Sequence, residues 1–137
     1  MTDARLLDSS IWVQHLRGVE PFVQRVNELS ATGLLRTCEP VMMELLSVGP
    51  VRPDPRVLAL SRRAESLSFE SDLDFRVAAD LMRRVRASGH TLRSAVDALI
   101  AAVALRHPDV VLVHDDVDYE RIAAVVPLRH ERWTREA

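Results

Sequence analysis

The sequence predicts a layered α/β domain with a central, mostly parallel sheet. Three observations carry that reading. Short apolar segments alternate with longer stretches of helical period along the chain. Val110 to Val113 is an uninterrupted apolar run, the pattern of a parallel strand covered on both faces. Glycine and proline fall between these segments and mark their ends.

Leu6-Leu7 runs into Asp8-Ser9-Ser10, and Asp and Ser are favoured helix N-caps. A strand therefore ends at Asp8 and a helix starts at Ser9 or Ser10, with Ile11, Trp12 and Leu16 inward. Glu20-Pro21 opens a second helix with Phe22, Val26 and Leu29 at helical spacing, and Gly33 ends it. Leu34 to Cys38 reads as a second strand, and Glu39-Pro40 opens a third helix over Val41 to Ser47. Pro50, Pro53 and Pro55 make the next stretch a loop, followed by a helix around Arg56 to Glu65. Leu67-Ser68-Phe69 reads as a third strand. Ser71 and Asp72 cap a long helix carrying Phe75, Ala78, Ala79, Leu81, Met82 and Val85, stopped by Gly89. Ser94 begins another helix, with Val96, Leu99, Ile100, Val103 and Ala104 inside. After the apolar strand come a short helix over Asp118 to Ala124 and a last strand near Val125-Val126.

The 137 residues fit one domain, residues 1–137, and 47% hydrophobic with 28% charged residues marks globular material. No apolar run nears the roughly 18 residues of a membrane span. The start, Met1 to Arg5, lacks the basic and apolar regions of a leader, and the single cysteine suits a reducing compartment, so a cytoplasmic protein is expected. All 18 basic residues are arginine. Without lysine, phosphate-loop NTPases and Schiff-base enzymes are excluded. The net charge of −2 offers no global field for nucleic acid, so any such contact falls to local arginines. Arg62, Arg63, Arg83, Arg84 and Arg86 are candidates for that rim, or simply a solvated helix face.

In a parallel α/β sheet the active crevice lies beyond the carboxyl ends of the strands. Asp8 stands there after the first strand, where helix capping is its simpler role. His114-Asp115-Asp116-Val117-Asp118 stands there after the apolar strand, with Asp118 as one candidate cap. Asp97 borders the apolar stripe of its helix, and an unpaired carboxylate beside apolar surface is expensive. Glu44 sits among Met43, Leu45 and Leu46, either facing solvent or joining the other acids. Converging carboxylates suit a hard divalent cation such as magnesium, with manganese as substitute. Zinc is not supported: no two of the five histidines stand at H-x-x-x-H spacing, and there is one cysteine. No G-x-S-x-G elbow supports a nucleophilic serine.

Four segments in register now carry a resemblance. They are Leu6 to Trp12, Val41 to Leu46, Gly89 to Ala101 and Leu112 to Ala123. The chain resembles PIN-domain ribonucleases, specifically the VapC-type toxins of bacterial toxin–antitoxin pairs. That resemblance implies a three-layer α/β/α PIN-like fold and a magnesium-dependent endoribonuclease acting on RNA, transfer RNA being a favoured class. It implies Asp8, Glu44, Asp97 and Asp116 as the family's four acids, catalytic and metal-holding, with Asp118 near the fourth. Ser10 matches a supporting hydroxyl. Tyr119 stands where phenylalanine is commoner, and the choice among Asp115, Asp116 and Asp118 stays open. Arg93 is a candidate to neutralise phosphate charge or a solvated arginine at a helix start. Trp12 is expected in the core or a dimer seam. A cognate VapB-like antitoxin and a homodimer are the expected partners.

Rival readings remain. The chain can be a catalytically weak interaction module whose acidic pocket mainly binds an antitoxin tail. An aspartyl-phosphate phosphatase is disfavoured, because Ser10 stands where its second aspartate is required and lysine is missing. A DNA-directed nuclease of the same broad fold stays open, although the DNA-clamping segments of such enzymes are missing.

Overall fold

The apolar run forms an interior strand of a five-stranded sheet, beside the central one. The computed structural model describes residues 3–49 and 51–135. Met1 and Thr2, on which the leader reading partly rests, and Pro50 of the predicted loop lie outside them. The strands are β1 (Ala4–Leu7), β2 (Leu35–Thr37), β3 (Glu65–Ser66), β4 (Val110–His114) and β5 (His130–Arg132), in the order β3-β2-β1-β4-β5. Every pairing among them is parallel. All residues of β1 and β4 are buried, as strands covered on both faces require.

The helices are α1 (Ser9–Leu16), α2 (Phe22–Ala31), α3 (Glu39–Ser47), α4 (Pro55–Ser61), α5 (Ser71–Ala87), α6 (Ala95–Leu105) and α7 (Val117–Ala123). Right-handed crossovers put α1 to α4 on one face of this strand order and α5 to α7 on the other. The helix contacts follow: α1 packs on α2 and α3, while α6 packs on α5 and α7. The result is the three-layer α/β/α arrangement. Gly33 and Gly89, at φ of 72° and 96°, take the left-handed conformation that ends α2 and α5.

Four expectations shift. The third strand is Glu65–Ser66 rather than Leu67 to Phe69; its ladder ends as the Leu67 N–H donates to the Thr37 carbonyl at 2.8 Å. Helix α4 correspondingly stops at Ser61, not Glu65. The last strand is His130–Arg132, because Val125 and Val126 both turn back to the Ile122 carbonyl, at 3.0 and 3.1 Å, and Pro127 follows. Both misplaced strands are polar sheet edges, where charged residues guard unpaired backbone. Phe75, predicted inward, is exposed, and its ring meets Phe69 edge-to-face at 5.0 Å. The buried stripe of α5 runs instead through Asp74, Ala78, Leu81 and Val85.

Trp12 is 1% exposed and belongs to the core. No described helix is long and apolar enough to cross a membrane.

Candidate active site

β1 and β4 are parallel neighbours with Leu7 opposite Val113, so the residues after them leave the sheet at one edge. The strand order reverses between these two strands, which opens a crevice at their carboxyl ends. Asp8 enters it from β1. Its Oδ2 accepts the Ser10 N–H at 3.2 Å and the Ser10 hydroxyl at 2.7 Å, so Asp8 caps α1 and faces the crevice at once. Helix α3 brings Glu44, whose Oε1 accepts the Ser9 hydroxyl at 2.9 Å. Helix α6, capped by Ser94 onto the Val96 N–H, brings Asp97 in its first turn.

The side chains form two overlapping carboxylate groups. One oxygen each from Asp8, Glu44 and Asp97 lie within 4.8 Å of one another, and the same holds for Asp97, Asp116 and Asp118. Asp97 is common to both. Its carboxyl is pushed up to about 7, first by burial and then by the charges of Asp8, Asp116 and Glu44. Burial, with the Asp8 charge behind it, also raises Glu44. The Tyr119 hydroxyl, fully buried, lies 2.7 Å from Asp8 Oδ1 and 3.2 Å from Asp97 Oδ1.

The crowded turn after β4 separates into three roles. Asp115 is exposed and pairs with Arg132 at 2.9 Å. Asp116, rather than Asp118, is the N-cap of α7: its Oδ1 accepts the Asp118 N–H at 2.9 Å. Asp118 is fully buried and accepts from the Arg93 N–H at 3.0 Å, Arg93 Nε at 3.3 Å and Arg121 Nη1 at 3.2 Å. Arg93 also donates to Asp116. Its guanidinium thus lies over Asp116 and Asp118 while remaining largely exposed to solvent. Of the expected rim, Arg83 and Arg84 pair with Asp80, and Arg63 reaches Ser30 and Asn27.

His114 anchors this turn from below. Its Nδ1 accepts the Asp116 N–H at 3.1 Å, which places its proton on Nε2, 2.9 Å from His130 Nδ1. Burial and the neighbouring His130 lower it to about 4, so the ring is neutral at pH 7. It packs against Tyr119 with centroids 4.8 Å apart. Sequence reasoning passed over Ser9, His114 and the Tyr119 hydroxyl. Only the run Asp8-Ser9-Ser10 hinted that two hydroxyls would face two different acids.

The donor set is oxygen alone, buried or half-buried, and mutually repelling. That chemistry fits a hard divalent cation, which relieves the repulsion that adds to burial in raising Asp97.

The family model described as PIN domain matches residues 5–125. VapC ribonuclease Mb1587 of Mycobacterium bovis is 36% identical to the chain over 131 residues, spanning 90% of it and 95% of that relative. Ribonuclease VapC11 of Mycobacterium tuberculosis matches equally. Among solved structures, VapBC2 from Rickettsia felis bound to a DNA fragment from its promoter aligns with TM-score 0.73 and 18% identity, over 96% of this chain and 99% of that one. DNA-bound VapBC from Salmonella typhimurium gives the same TM-score over 97% and 100%. At 18% identity these structures speak to the fold, whereas the extent of the family match and the 36% identity reach further: the chain belongs to the PIN-domain family, with VapC ribonucleases among its relatives.

Proposed function

We propose that this chain is a divalent-metal-dependent endoribonuclease and the toxin of a toxin–antitoxin pair. The observation that carries the reading is the meeting of Asp8, Glu44 and Asp97 at the switch point of the sheet. The names of the VapC ribonucleases support RNA as substrate. Bound magnesium, or manganese in its place, supplies a water of lowered pKa and neutralises phosphate charge.

The residues divide the work. Asp8 is held by Ser10 and Tyr119 and presents a fixed carboxylate. Asp97 joins both carboxylate groups and completes the set with Glu44 and Asp116. Glu44, steadied by Ser9, ligates or orients the attacking water. Arg93 is exposed enough to leave Asp116 and meet the phosphodiester of an incoming RNA. Asp118, buried among Arg93 and Arg121, supports the turn.

The test is cleavage of total cellular RNA by the purified chain. Magnesium should support cutting, and chelator or Asp8→Ala should stop it. Cleavage that persists in chelator ends the metal reading. Arg93→Ala should raise KM roughly tenfold, the worth of one charge-assisted hydrogen bond, with little change in kcat; an unchanged KM removes Arg93 from substrate binding.

The VapBC names of the structural neighbours support a VapB-like antitoxin as partner. The groove lined by Val13, Leu16, Leu45, Val48 and Val57 together with Arg17, Arg52, Asp54 and Arg56 is the face we assign to it. A homodimer is part of the same proposal. The second reading, an acidic pocket that chiefly receives an arginine from the antitoxin, draws support from Arg93, which shows that the Asp116–Asp118 side accepts a guanidinium. Lack of magnesium-dependent cutting by a protein that still binds its antitoxin would favour it.

A further inference from the structure

Tyr119 is the only tyrosine in the chain and is fully buried. Its hydroxyl stands between two buried acids of the site, 2.7 Å from Asp8 Oδ1 and 3.2 Å from Asp97 Oδ1. A hydroxyl has one proton to donate. That proton is shared in a three-centre bond whose shorter arm goes to Asp8 and longer arm to Asp97; Asp8 also accepts two hydrogen bonds from Ser10 on its other oxygen. Asp97 is placed differently: among the described residues, Tyr119 is the sole hydrogen-bond partner of its side chain. A buried carboxylate with one partner owes its orientation to that partner. The ring itself is immobilised by His114, which is fixed in turn by His130 and the Asp116 N–H. The hydroxyl therefore links the acid after β1, the acid of α6 and the turn after β4.

We propose that Tyr119 is a positioning residue for the divalent-cation site, its hydroxyl holding Asp8 and Asp97 with their remaining oxygen lone pairs aimed at a common ion. The inference rests on the metal-dependent reading above. It touches no substrate atom; it acts through the two carboxylates. Outer hydrogen bonds of this kind set ligand orientation, and their loss costs about 10–100-fold in metal affinity.

Two measurements on the full chain test it without relying on cleavage. In the first, Mn2+ alone is titrated into the parent, Tyr119→Phe and Asp8→Asn proteins, and free Mn2+ is read by electron paramagnetic resonance. The phenylalanine keeps the ring against His114. Tyr119→Phe should bind Mn2+ at least about tenfold more weakly, with kcat/KM reduced at low magnesium and recovered at high magnesium. An affinity within twofold of the parent, or a tighter one, overturns the proposal. In the second, the parent is made with 3-fluorotyrosine, which leaves the hydroxyl in place and yields one fluorine resonance. Mg2+ should shift that resonance saturably, with the midpoint of the binding curve. A resonance indifferent to Mg2+ also overturns it. Failure of the metal reading looks different: the parent then binds no Mn2+, or Asp8→Asn binds as well as the parent.

Discussion

Asp97→Asn should abolish magnesium-dependent cleavage and, without metal above pH 7, should raise the melting temperature by several degrees. The two effects have one source. Asp97 is 8% exposed, and burial, followed by the charges of Asp8, Asp116 and Glu44, pushes its carboxyl up to about 7. In the unfolded chain it returns to its ordinary value of 3.8. Between these values the folded state binds more protons than the unfolded one, so stability falls as pH rises. The contribution is whole below about pH 4 and gone above about pH 7. Each pH unit between the two pKa values is worth about 1.36 kcal/mol, so the total is on the order of a few kcal/mol. Asparagine is nearly isosteric and carries no charge to desolvate. The variant should melt near the parent at pH 4 and above it at pH 8. Magnesium should raise the melting temperature of the parent at pH 8, by relieving the same repulsion, and leave the variant unmoved. Activity should drop at least roughly 100-fold, the scale of one lost electrostatic contact to the reacting group. A variant that melts below the parent at pH 8 would show that Asp97 is stabilised by contacts the amide cannot make, and the strain argument would fall.

The parts of the fold legible in the sequence are those buried on both sides. β4 was readable because every residue from Val110 to Val113 is inside, and burial leaves no choice but apolar side chains. The edges were not. β3 is Glu-Ser and β5 is His-Glu-Arg, short half-exposed strands held by neighbours distant in sequence, so no local pattern marks them. Phe75 shows a related failure. Helical spacing places it one residue from the buried stripe, but the inward position belongs to Asp74, a charged residue that periodicity assigns to solvent.

The site divides along the same line. Asp8 could be located from the strand before it and Asp97 from the cost of its setting, because both arguments are local. Glu44 depends on α3 lying against α1, a tertiary fact that only the family register anticipated. Asp118 reads as a candidate cap because both it and Asp116 are good caps; what separates them is Arg93, 23 and 25 residues away, whose backbone N–H and Nε are accepted by the buried Asp118. Tyr119 read as a mild variation because its ring is hydrophobic enough for the core. Its hydroxyl matters only where two acids from distant segments meet.

Asp74→Ala should lower the melting temperature by roughly 10 °C while leaving the chemistry of the folded protein intact. Asp74 is fully buried, 32 residues from its partner, and takes two hydrogen bonds from Arg106, from Nε at 2.7 Å and Nη2 at 2.8 Å. A third comes from the Glu70 N–H at 2.8 Å. Arg106 is the C-cap of α6, so the pair ties the start of α5 to the end of the helix that carries Asp97. Truncation leaves a half-buried guanidinium with its main partner gone and a backbone N–H with no acceptor. Breaking one side of such a pair costs about 3–5 kcal/mol, and each kcal/mol is worth about 2–4 °C in a domain of this size. Removing both partners is a different experiment. Asp74→Leu with Arg106→Met deletes both charges, fills the volume with apolar atoms and should recover most of the loss, because the pair's gain over a hydrophobic contact is small once desolvation is counted. Thermal melts of the single and double variants read this directly. Since Asp97 sits in the first turn of α6, away from Arg106, cleavage per folded molecule well below the melting temperature should stay within a few-fold of the parent. A double variant as unstable as the single one would mean that the ion pair, rather than the packing of α5 on α6, sets the geometry that delivers Asp97.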